Sequence, residues 1–125
     1  MTLERPFQPS IRSLLYVPGN KFDWMLKSPK YGADALIFDL EDSVPDGQKA
    51  QSRETVRSAV NELYQTTRTR LFVRINAVST GLADKDVEAI VGPGLFGIQA
   101  PKIEGPEAVR HLDALLTNFE TKAKL

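Results

Sequence analysis

The chain has 125 residues, 42% of them hydrophobic and 26% charged, which is the makeup and length of one ordinary globular domain or a part of one. Sixteen basic residues balance sixteen acidic ones, so no net field gathers nucleic acid or an anionic membrane surface. The lack of cysteine excludes disulfide frameworks and thiolate metal sites, and the lone His111 excludes a histidine-rich one.

No apolar run approaches the roughly 20 residues that span a bilayer. The opening MTLERPFQPS has no apolar centre of a signal peptide, and a soluble, cytoplasmic protein is expected. In chain order, SLLYVPG (13–19) reads as a first buried strand, and KFDWMLKS as a short helix closed by Pro29. ALIFDLED (35–42) is a second strand. DGQKAQSRETVRSAVNELY follows as a helix, with Asp46 placed to cap it and Ala50, Val56, Ala59, Val60 and Leu63 at helical spacing. LFVRINA (71–77) is a third strand, DKDVEAIV a third helix and GIQAPKIE (97–104) a fourth strand. PEAVRHLDALLTNF closes the series as a helix, with Pro106 in its first turn and Val109, Leu112, Leu115 and Leu116 on one face. Strands and helices alternate strictly, which argues for a parallel α/β sheet with helical crossovers. A (β/α) barrel is one such fold, and a flavodoxin-like sheet is the fallback.

Strands of a covered parallel sheet should be apolar throughout, and the exceptions here cluster at carboxyl ends. They are Pro18-Gly19, Asp39-Leu40-Glu41-Asp42, Arg74-Ile75-Asn76 and Pro101-Lys102-Ile103-Glu104. Alternation puts Ala35, Ile37, Asp39 and Glu41 on one face, Leu36, Phe38 and Leu40 on the helix side, and Phe72, Arg74 and Asn76 together. In a closed barrel the first face is the interior, and its last positions open onto the mouth where such folds carry their sites. Carboxylates hold hard cations or take up protons, and an arginine fork binds a substrate carboxylate, so the cluster suits a small acidic substrate handled with a metal. A structural ion-pair network of Asp39, Arg74 and Lys102 is the competing reading. Asp42 alternates away from Asp39 and Glu41, and capping the next turn competes with a chemical role.

Other residues read more plainly. Arg12 lies at the far end of the first strand and is expected in a surface ion pair. His111 is expected on a solvated helix face, and Trp24 and Met25 are expected to pack on the sheet. Gly19 directly before a helix, with Lys21, is a weak phosphate signal. Gln99 falls where alternation from Lys102 demands an apolar residue.

RSLLYVPGNK, GADALIFDLEDSV, QKAQSR, LFVRIN and GIQAPKIE, in this order and spacing, resemble the amino-terminal half of the citrate lyase β-subunit-like proteins of the HpcH/HpaI aldolase family. The resemblance covers residues 11 to 119. It implies TIM-barrel (β/α) units, about four of the eight that close a barrel, with residues 1–125 forming one partial domain.

The family relation also implies a carbon–carbon lyase that cleaves or forms a 3-hydroxyacyl-CoA such as citryl-, malyl- or citramalyl-CoA. Its cofactor would be Mg²⁺, its substrate a coenzyme A thioester or 2-oxo acid, and its state a homo-oligomer without nucleic-acid or membrane partners. Arg74 matches the arginine that binds the substrate carboxylate. Asp39, Glu41 and Asp42 match the acidic cluster around the metal–substrate site, acting through water and hydrogen bonds rather than as principal ligands. Lys102 matches the lysine at the mouth, and Gly19, Asn20, Lys21 and Lys27 fall where coenzyme A is met, with Phe22 and Trp24 in place of the usual proline and arginine. The principal metal ligands are expected beyond Leu125, so the chain alone is expected to be an inactive half barrel. The alternatives are a non-catalytic binding or regulatory half barrel for a dicarboxylate or acyl-CoA, and an assembly module.

Overall fold

The structure, a computed structural model, describes residues 10–125, so most of the opening MTLERPFQPS lies outside the described residues. Four strands alternate with four helices: β1 (Leu14–Pro18), α1 (Phe22–Lys27), β2 (Ala35–Asp39), α2 (Lys49–Tyr64), β3 (Arg70–Arg74), α3 (Ala83–Ile90), β4 (Gly97–Gln99) and α4 (Pro106–Lys122). All strand pairs are parallel, and the spatial order β1-β2-β3-β4 follows the chain. Helices pack consecutively, α1 on α2, α2 on α3 and α3 on α4. A doubly wound sheet would break the strand order and cover both faces, so these are barrel-type (β/α) units and the flavodoxin-like fallback is set aside.

The core lies between the sheet and its helices. Val17, Leu36, Phe38, Leu71 and Val73 point outward from alternate strand positions and meet Met25, Val56, Ala59, Val60, Leu63, Val87 and Leu112. The other strand face carries Tyr16, Ile37, Phe72, Asp39 and Arg74. Tyr16 and Gln99 come from non-adjacent strands, yet the Tyr16 hydroxyl donates to Gln99 Oε1 at 2.6 Å, so this face is concave. Among the described residues no helix is long and apolar enough to cross a membrane.

Several local expectations need correction. Asp46 does not cap α2: a 3₁₀ turn over Asp46–Gln48 precedes the helix, and the residue at the cap position, Gln48, makes no side-chain bond to the helix. Ala50 is exposed, and the buried face instead includes Lys49 and Ser52. Val109 is 55% exposed, unlike Leu112 on the same helix. β4 ends at Gln99, so alternation cannot be carried through Pro101 to Lys102. Asn76, two residues past β3, turns to the helix layer. There its amide and side chain both donate to Asp86 Oδ2 at 2.8 Å, and it does not join Arg74.

Candidate active site

The register sets Pro18, Asp39, Arg74 and Gln99 side by side at the carboxyl ends of β1 to β4. Arg74 Nε and Nη2 donate to Asp39 Oδ1 and Oδ2 at 2.8 and 2.9 Å, a fork-on-fork pair. The chain then turns back on the same carboxylate. Glu41 N donates to Oδ1 at 2.8 Å, while Ser43 N and Oγ donate to Oδ2 at 3.0 and 2.7 Å. Burial pushes the Asp39 carboxyl up, but the donors from Arg74, Ser43 and Glu41 outweigh it and hold the group well below the usual carboxylate range. Its partner moves the other way: bonding to Asp39 raises Arg74 further above its ordinary value, so the guanidinium is a fixed cation.

Two of the Arg74 nitrogens are thus committed to Asp39, which leaves Nη1 for a ligand among the described residues. The guanidinium lies over the Tyr16 ring at 4.8 Å, and the ring is held in turn by its bond to Gln99. Gln99, a misfit on the sequence, is therefore the last rung of the concave face. Its signal was available in the register with Arg74 rather than in the distance to Lys102.

Glu41 is 8% exposed, with Oε1 at 3.6 Å from Arg74 Nε and Oε2 at 3.1 Å from Lys102 Nζ. The second distance is that of a hydrogen bond but the alignment is not, so Oε2 is buried in an ion pair without a hydrogen-bond partner. Lys102 is itself exposed, and the adjoining Glu41 carboxylate, helped by the charge of Asp42, raises its pKa. Its backbone sits at φ 55°, a left-handed conformation that costs a non-glycine residue energy. Asp42 is exposed at the rim. The structure therefore gathers Asp39, Glu41, Arg74 and Lys102, with Asp42 acting at longer range.

The residues expected to meet coenzyme A are not gathered in this way. The Gly19 amide donates to the Asp39 carbonyl at 2.8 Å, so it is not free for a phosphate. A Cβ there would strike that carbonyl and come within 2.8 Å of Val56, so glycine is needed for close approach. Asn20 Nδ2 donates to Gln48 Oε1 at 2.7 Å, while its Oδ1 is buried without a hydrogen-bond partner. Lys21 lies over the Trp24 ring at 5.6 Å, and Lys27 borders a groove of 680 Å³ with Tyr16, Trp24, Lys30 and Tyr31 along the open side of β1. Arg12 forms the expected surface pair with Asp34, Nε to Oδ2 at 3.4 Å. His111 is half-exposed as expected, and pairs with Asp84 at 2.8 Å.

Two further contributors went unread in the sequence. Ser43 supplies two donors to Asp39, and Lys49 donates from α2 to the carbonyls of Leu40 and Glu41 at 2.9 and 2.8 Å. The signal for Lys49 was a lysine in the first turn of a helix, where the backbone field disfavours a cation. As for a metal, the described residues contain no group of three or more His, Asp or Glu able to hold one. Asp39 has its oxygens filled by donors. The described residues therefore do not fit a divalent cation by themselves.

A concave parallel sheet with an arginine and a buried carboxylate at its strand ends, and a lysine three residues past the last strand, is the arrangement of barrel-type α/β units. The family description HpcH/HpaI aldolase/citrate lyase matches residues 12–124, and the chain belongs to that family. It is 33% identical over 109 residues to citrate lyase subunit beta of Leuconostoc mesenteroides subsp. cremoris, covering 87% of this chain and 36% of that protein. It is 36% identical over 101 residues to the mitochondrial citramalyl-CoA lyase of Mus musculus, covering 79% of this chain and 30% of the other. Among solved structures, protein CitE from Mycobacterium tuberculosis in complex with magnesium, acetoacetate and coenzyme A superposes with a TM-score of 0.69 at 30% identity, over 82% of this chain and 37% of that one. The chain thus spans about a third of the length of the curated relatives it matches.

Proposed function

We propose that the chain forms the acid-binding wall of a carbon–carbon lyase that cleaves or forms a 3-hydroxyacyl-CoA thioester by Claisen chemistry. The observation that carries this reading is Arg74, a fixed cation clamped by Asp39 and backed by Tyr16, with Nη1 left open at the mouth beside Lys102. Arg74 Nη1 and Lys102 would take the substrate carboxylate, as a planar fork and a mobile point charge. The Glu41 carboxylate, buried beside Arg74 and Lys102, would accept the hydroxyl proton as the C–C bond breaks. The divalent cation would be held by residues other than those described, and it would supply Lewis-acid polarisation of the substrate oxygens. A relative that acts on citramalyl-CoA and a neighbour with bound magnesium, acetoacetate and coenzyme A support the substrate class.

The test is titration calorimetry of the chain with oxaloacetate and pyruvate, beside an activity assay with Mg²⁺ and citryl-, malyl- and citramalyl-CoA. Oxaloacetate should bind, Arg74→Met should weaken it at least tenfold, and the chain alone should show no turnover. Equal binding by both proteins would remove Arg74 from the proposal. Turnover by the chain alone would show that the described wall suffices for catalysis.

A further inference from the structure

We propose that Lys49 is a positioning residue of the site: its ammonium fixes both peptide planes that flank Glu41 and so aims the Glu41 carboxylate at Lys102 and Arg74. This rests on the acid-binding reading above and adds to it a residue outside the mouth.

Lys49 is the first residue of α2 and is 9% exposed. Burial and the positive end of the helix both work against an ammonium there. What offsets them is a pair of acceptors, the Leu40 carbonyl at 2.9 Å and the Glu41 carbonyl at 2.8 Å. These oxygens belong to consecutive planar peptides, one on each side of the Glu41 Cα. The first plane is also held at its other end, since the Glu41 amide donates to Asp39 Oδ1 at 2.8 Å. The second carries a longer bond from Val44 N to the Glu41 carbonyl at 3.3 Å.

With both planes tied, φ and ψ of Glu41 are set and its Cα–Cβ bond has one direction. A buried carboxylate whose Oε2 has no hydrogen bond of its own needs such external constraint, because an ion pair at 3.1 Å with an exposed, flexible lysine does not orient it. Asp39 holds one side of the turn through its side chain and Lys49 the other through its ammonium. A neutral residue at position 49 would leave the Leu40 carbonyl to find another partner and the Glu41 carbonyl with only the long bond from Val44 N, and would release Glu41.

The test compares Lys49→Met, which keeps the apolar stem, with Lys49→Arg, which keeps donors, in the full chain. The readout is the NMR titration of the Lys102 ammonium, which faces Glu41, Asp42 and Arg74. Glu41→Gln shows where Lys102 titrates once the pair is gone. A folded Lys49→Met should bring Lys102 more than half of the way to that position, and Lys49→Arg should restore most of the shift. A residue that merely stabilises α2 would lower the melting temperature and leave the Lys102 titration in place, and that result would overturn the proposal. If Lys49→Met does not fold, the unaltered chain decides: the Lys49 ammonium protons should exchange with water much more slowly than those of Lys21 or Lys27, and equal exchange would overturn the clamp. These readouts need no ligand, so failure of oxaloacetate to bind would count against the functional reading and leave the Lys49 result standing.

Discussion

Two buried ion pairs, one between helices α2 and α3 and one between the ends of β2 and β3, have opposite fates. Asp86, fully buried on α3, accepts from Arg53 Nε at 2.7 Å and from Asn76 twice at 2.8 Å, so both of its oxygens are used inside the helix layer. Asp39 is nearly as buried, but its arginine faces the concave side with 22% of the side chain exposed and a nitrogen to spare. The chemistry is the same. The layer decides the role: enclosed between sheet and helices the pair is a clamp, and on the inner face it stays open to the concave side. The VRIN stretch contributes to both, Arg74 as the cation of one and Asn76 as a donor to the carboxylate of the other.

The largest effect is expected at the clamp. Asp86→Ala strands the Arg53 guanidinium and the Asn76 donors in the interior, and should cost about 3–5 kcal/mol in urea unfolding. Whatever chain remains folded should bind oxaloacetate as before. A loss of affinity in that folded fraction would show that the two pairs are coupled.

At the site the effect on stability should be smaller and the effect on binding larger. Arg74→Met should cost about 1–3 kcal/mol, since Asp39 keeps its donors from Ser43 and Glu41. The pH dependence sharpens this. The folded pKa of Asp39 lies below the unfolded value of about 3.9, so its stabilisation is present above that value and is lost as pH falls through the folded pKa. Arg74→Met raises the folded pKa, and the midpoint of acid unfolding should move to higher pH. An unchanged midpoint would mean that Arg74 is not what holds the carboxyl ionised.

The smallest effect is expected from Tyr16→Phe, which deletes the hydroxyl bonded to Gln99 and leaves the ring under Arg74. Its cost should be about 1 kcal/mol or less, with oxaloacetate affinity nearly unchanged. A large loss of affinity would place the hydroxyl itself in the binding contact.

Local pattern was enough to place the elements. Short apolar runs ending in polar residues, separated by amphipathic stretches, can be satisfied by strands in parallel with helices between them, and all four strands and four helices stand where that pattern put them. Side-chain alternation within β2 and β3 was enough to put Asp39 beside Arg74 on the inner face. Strand length was not local. β4 stops at Gln99 and β3 at Arg74, so alternation carried past those residues misplaced Asn76 and left Gln99 without an explanation.

Which polar residues share a partner depends on packing between distant parts of the chain. Lys49 and Glu41 are eight positions apart on different elements, Arg53 and Asp86 thirty-three, Tyr16 and Gln99 eighty-three. Nothing in the spacing of such residues joins them. They meet because hydrophobic burial draws the helices onto one side of the sheet and sets its curvature, and each buried polar group then has to find a partner where the packing has left it.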